Sequence, residues 1–178
     1  TTPLTADVIL NALNPVENVL FGNVCVAGGG GHTPGFWSNR NGQNLITGNY
    51  LCALNMLCLR NENGSHFDPV VNCPTPNSTQ IATGKNLFRT WLLDATATNM
   101  AFKLSSHLAA MKLNVMHGFV NAAALIYAPG TNSANAMGIA TINAVMNEAN
   151  TILCSNGIIL SGDPLRMRAE AVKDALDN

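Results

Sequence analysis

An apolar stripe across residues 87–117 limits what this chain can fold into. Leu93, Ala97, Met100, Leu104, Leu108, Met111 and Val115 recur at alternating steps of about four and three, which places them along one side of a helix. Gly118 follows where a left-handed C-cap belongs. A helix this long predicts a central position with partners on several sides. A second stripe, Ile139, Ile142, Met146, Ala149 and Leu153, predicts a helix over about 135–154, ended by Asn156-Gly157. Asp163-Pro164 reads as an N-cap and first helical position, with Leu165, Ala169, Val172 and Leu176 facing inward. Residues 119–127 predict a short helix stopped by Pro129-Gly130. Each helix is marginal alone, and its stability must come from burying its stripe. The expected fold is therefore mainly α, a bundle of three to four helices in the C-terminal half.

The first half reads differently. Gly28–Gly31 is a hinge that holds neither helix nor strand by itself, and without a following Lys-Ser/Thr pair it is no phosphate loop. Residues 43–60 are apolar and helical in part. Asn61 to Ser65, Asp68-Pro69 and Cys73 to Pro76 then supply turn residues. Before the hinge lies an apolar arm, 1–27. There Val8, Ile9, Leu10 and the stretch 19–26 suit short β-strands, whereas Thr5 suits the cap of a short helix ending before Pro15. The arm can pack on its own domain or on a neighbour's, as in strand addition. The expected organisation is an arm, 1–27, and one globular domain, 28–178, divided into a loop-rich part, 28–86, and a helical part, 87–178.

Five cysteines, Cys25, Cys52, Cys58, Cys73 and Cys154, show no zinc spacing and no CxxC pair. They suit an oxidising compartment, with two disulfides stapling the loop-rich half and one cysteine left over to stay free or to bridge to another copy. The chain opens Thr1-Thr2-Pro3, as expected of a protein whose signal peptide has been removed, although a trimmed chain looks the same. The expected location is extracellular or at the cell surface.

Charge narrows the partners. Charged residues make up 11% of the chain, against about 25% ordinarily, and asparagine supplies roughly one residue in seven. A polar surface with net charge −1 repels its own copies weakly and so permits self-association. No basic patch invites nucleic acid, and no apolar run approaches a membrane span.

The most distinctive segment is His32 to Gln43. Pro34-Gly35 fits the centre of a type II turn and Asn41-Gly42 a second turn, presenting Phe36 and Trp37 beside Asn39 and Arg40. Such a platform could stack on a sugar and bond its hydroxyls. The same aromatics could instead bury and anchor the loop, which is where large rings contribute most. Among the four histidines, only His66 has a close carboxylate, Asp68. The two could share a metal if a third ligand joined them, though Asp68 also suits a turn before Pro69. His107 and His117 are ten residues apart, about 80° out of helical register, and read as polar or capping positions. No Gly-x-Ser-x-Gly elbow occurs, most cysteines are committed as disulfide candidates, and acidic residues are few, so no catalytic residues and no cofactor are predicted. Asn63-Gly64-Ser65 and Asn77-Ser78-Thr79 match the N-glycosylation pattern, which matters only in a host with that machinery.

Thr33-Pro34-Gly35-Phe36-Trp37-Ser38-Asn39 resembles a T-[PQ]-G-[FY]-W-[KS]-N signature near the mature N-terminus of an uncharacterised family of secreted bacterial proteins. The blocks 59–69, 88–93, 97–101 and 108–115 extend the resemblance over roughly half the chain. The resemblance implies bacterial export. It supplies no catalytic residue, and the arm before Cys25 lies outside it.

Together these features lead to the expectation of a secreted, non-enzymatic structural protein that assembles with copies of itself into an extracellular filament, sheath or matrix. The alternatives are a carbohydrate-binding or adhesion module built on Phe36-Trp37 and a small secreted hydrolase.

Overall fold

The computed structural model describes residues 31–177. In chain order these form α1 (Pro34–Ser38), α2 (Arg40–Leu45), α3 (Gly48–Asn55), α4 (Ser78–Asp94), α5 (Met100–His117), β1 (Leu125–Tyr127), β2 (Ile139–Thr141), α6 (Ile142–Ser155) and α7 (Arg166–Asp177). The fold is mainly α, as the stripes require. No helix among the described residues is long and apolar enough to cross a membrane.

The 87–117 stripe is not one helix. α4 ends at Asp94, and α5 restarts after Asn99, whose side chain accepts from the N–H groups of Ala101 and Ile159 and donates to the carbonyls of Glu62 and Gly157. Four hydrogen bonds on a buried amide outweigh two more turns of continuous helix. The apparent run through Leu93 and Ala97 is therefore accidental, and Leu93 is 59% exposed. α4 instead buries Gly84, Phe88, Trp91 and Leu92, and it begins at a reciprocal Asn77–Gln80 capping box, nine residues before the expected start.

α5 is central. Thirteen of its 18 residues are buried, and it packs on α1, α3, α6 and α7. Gly118 closes it at φ 82°, in the left-handed region the sequence called for. Beyond it, the expected short helix over 119–127 is absent. Leu125–Tyr127 instead pairs antiparallel with Ile139–Thr141, so that Ile126 and Ala140 share the buried face. Two β-branched or aromatic neighbours of Leu125 favour that pleat once a partner strand exists. The second stripe consequently divides. Ile139 belongs to β2, and α6 starts after Thr141, whose hydroxyl accepts from the Ala144 N–H. α7 starts at Arg166, with Asp163 accepting from Leu165 N–H just ahead of it. Ala169, Val172 and Leu176 are buried as expected, and Leu165 partly so.

The segment read as loop-rich, 28–86, is more helical than expected. It holds α1 to α3 and the first turns of α4, and its only strand-like feature among the described residues is the isolated bridge between Arg60 and His66. Pro34-Gly35 is not a type II turn. Proline's fixed φ serves equally well at the first position of a helix, and it opens α1. Nor is Asn41-Gly42 a turn. Asn39 caps α2 by accepting from Asn41 and Gly42 N–H, and a Cβ on Gly42 would lie 2.3 Å from the Phe36 carbonyl oxygen. That glycine lets α2 pass against α1.

Two disulfides hold the irregular stretch between α3 and α4, Cys52–Cys73 tying it back to α3 and Cys58–Cys154 across to the end of α6. One cluster of buried apolar residues runs from Trp37 to Leu176 and joins the helices, with α2 adding the partly buried Leu45 at its edge.

Candidate functional site

The aromatic segment is an anchor. Trp37 is 0% exposed, and its Nε1–H donates to Asn114 Oδ1 (3.1 Å) inside α5. The same oxygen accepts from His32 N–H (3.0 Å), and Asn114 Nδ2 donates to the His32 carbonyl (2.8 Å). One buried amide thus ties the entry of the described chain and its tryptophan to the central helix. Around it, His32 stacks on Phe36 at 3.7 Å between centroids, and Phe119 meets both rings edge-on. His117 lies 4.4 Å from Phe119 and shares a hydrogen bond with the Tyr50 hydroxyl. A sugar has no face of Trp37 to stack on, so the platform built on that ring is excluded. Asn39 and Arg40 are exposed, but the Asn39 oxygen is spent on capping α2.

His66 and Asp68 do meet, Nδ1 to Oδ2 at 3.2 Å on an exposed edge. Among the described residues no group of three His, Cys, Asp or Glu side chains is arranged to hold a metal, so the pair lacks the third ligand a site would need. The five candidate disulfide cysteines resolve into the two bonds above. Their pairing leaves Cys25 as the odd one. It lies outside the described residues, as do Val8, Ile9, Leu10 and the rest of the arm.

Two titratable groups are buried: Glu148, which no sequence signal marked, and His107, which is not the polar or capping position expected of it. Glu148 on α6 accepts from Asn132 N–H (2.9 Å), Ser133 N–H (2.6 Å) and Arg168 Nε (2.7 Å). Burial alone would raise this carboxyl. The hydrogen bonds from Asn132, Arg168 and Ser133 outweigh it and hold Glu148 below the usual range. The result pins the β1–β2 connection to α6 and α7. Neither motif nor spacing signals it, because Arg168 lies 20 residues away on another helix.

His107 on α5 is 6% exposed and lies 3.3 Å from Asp177 Oδ1, yet neither of its ring nitrogens makes a hydrogen bond among the described residues. It lines a cavity of about 30 Å³ with Gly31, His32, Ile126, Leu176 and Asp177, room for about one water. Burial is the main force on this group and lowers it to about 4, reinforced by Lys103 and Lys173 and opposed by Asp177 and Asp174. Because its folded value lies below the unfolded 6.5, the unfolded chain binds the proton more readily. The stability that comes from keeping His107 neutral is complete above pH 6.5 and is lost as pH falls toward 4, a total of roughly 3 kcal/mol. Glu148 adds loss in the same direction further into acid. Thermal melts across this window should show falling Tm for the natural protein and a flatter profile for His107→Gln. Parallel profiles for the two would sink the assignment.

What these residues define is a disulfide-stapled, mainly helical domain whose buried polar groups serve the fold. Neither a family model, a curated protein nor a solved structure matches this chain.

Proposed function

We propose that the chain is an exported structural protein, a subunit that assembles with copies of itself into an extracellular filament, sheath or matrix. One observation carries this reading. Ten large apolar side chains are exposed among the described residues of a chain with little charge to keep copies apart. Met56 at the end of α3 is 84% exposed and Met167 on α7 is 82% exposed. Val71, Leu87, Leu93, Leu125, Tyr127, Met137, Ile158 and Leu160 are exposed as well. The whole chain offers nine basic and ten acidic residues against them. The two disulfides fit an oxidising compartment, and the resemblance to exported bacterial proteins points the same way.

Size-exclusion chromatography and negative-stain microscopy of the full chain test this directly. The expected result is concentration-dependent polymer that persists as salt is raised, since screening has little charge to act on. Strictly monomeric particles at high concentration would overturn the proposal.

A further inference from the structure

We propose that the outer edge of β1, with the seam between β1 and α7, receives the Val8-Ile9-Leu10 segment of a second copy as an added strand. This rests on the assembly reading and names the joint through which assembly occurs.

The backbone pattern of the hairpin supplies the acceptor. Ala128 N–H donates to the Gly138 carbonyl and Ile142 N–H to the Ala124 carbonyl. In an antiparallel pair hydrogen-bonded positions alternate with non-bonded ones, so Ile126 faces Ala140 as the bonded pair between those two. The N–H and C=O groups of Leu125 and Tyr127 must then point away from β2. Among the described residues nothing pairs with them. The opposite edge is different. Asn135 N–H donates to the Ile139 carbonyl (2.9 Å), and Asn135 Oδ1 accepts from Ile139 N–H (3.1 Å). The chain covers its hairpin's β2 edge at Ile139 and leaves the β1 edge uncovered by any described residue. An uncovered edge is a template for another strand.

The surroundings suit an apolar strand. Leu125 and Tyr127 are exposed on the outer face of β1, with Met137 and Met167 exposed as well. Between β1 and α7 lies an open groove of about 440 Å³ lined by Tyr127, Met167, Ala171 and Ala175, with the acidic Glu170 and Asp174 also in its wall. The Glu148–Arg168 pair and the Ser133 N–H bond hold the hairpin connection at this spacing from α7.

The sequence upstream of Gly31 supplies the occupant. Gly31 lines the cavity that Ile126, Leu176 and Asp177 also line, so the N-terminal segment leaves from the far end of the same seam. Twenty residues separate Leu10 from Gly31. Extended, they span about 70 Å, whereas a domain of this size is about 40 Å across. A tether of that length is long enough to carry Val8–Leu10 to the seam of a neighbouring copy. That segment offers three apolar residues, two of them β-branched, to a strand of three residues.

Cysteine trapping in full-length chains tests the joint. One chain carries Ile9→Cys, the other Leu125→Cys, both on a Cys25→Ser background, and they are mixed, oxidised and mapped by mass spectrometry. The expected result is a 9–125 bond between chains. In the double variant on one chain, an intramolecular 9–125 bond that keeps the protein monomeric would overturn the proposal in favour of packing in cis. Leu125→Pro removes an outward N–H and leaves the bonds to β2 in place, as edge strands tolerate. It is expected to cut polymer at least tenfold with an unchanged melting temperature. If Leu125→Pro does not fold, the trapping result decides alone. Polymer without any 9–125 bond overturns this joint and leaves assembly standing. Wild-type chains that never polymerise overturn both.

Discussion

Trp37→Ala is expected to destabilise the domain severely instead of erasing a binding site. Truncating a fully buried tryptophan costs about 3–5 kcal/mol through lost transfer energy and the cavity left behind. Here the loss is compounded, because the indole N–H no longer reaches Asn114, and that amide also holds His32 at both its N–H and its carbonyl. A domain of ordinary stability has only about 5–15 kcal/mol to lose. Denaturant unfolding followed by circular dichroism should show the midpoint falling steeply, and Trp37→Phe, which keeps a ring but no donor, should lie between. A folded, fully stable Trp37→Ala protein that has lost a sugar ligand would reverse this assignment and restore the platform.

The second large effect is expected at Cys58–Cys154. This bond spans 96 residues, against 21 for Cys52–Cys73. Constraint of the unfolded chain grows with the logarithm of the loop closed, which gives about 4.5 kcal/mol for the longer bridge and about 3 kcal/mol for the shorter. The paired replacement Cys58→Ser with Cys154→Ser should therefore cost more than Cys52→Ser with Cys73→Ser, as read from chemical denaturation of each variant. Equal losses would show that the staples act through the folded state, since Cys58 also donates its N–H to Asn150 on α6 and Arg60 bonds the carbonyls of Leu153 and Cys154 beside the bridge.

Gly118, the Asp163 turn that leads into α7 and the buried run Ala169, Val172 and Leu176 were all legible, because each depends on neighbours within a few positions. So was the preference for Trp37 as an anchor, which follows from the size of the ring. The break at Asn99 was not. An asparagine between two apolar stretches looks like a tolerated helix residue until Glu62, Gly157 and Ile159 arrive from 37 to 60 residues away. β1 was hidden for a related reason. Leu125–Tyr127 has no strand partner until Ile139–Thr141 folds back on it, and alone the Ala-rich stretch before it favours helix.

Helix-forming periodicity, caps and the supply of disulfide cysteines are local properties, and the linear chain determined them. Tertiary structure alone decided where the long stripe breaks, which cysteines meet, and that Asn114, Glu148 and His107 are buried inside the fold. The physical reason is the same in each case. A buried polar group or a strand edge takes its energy from partners far away in sequence, and those partners exist only once the helices have packed.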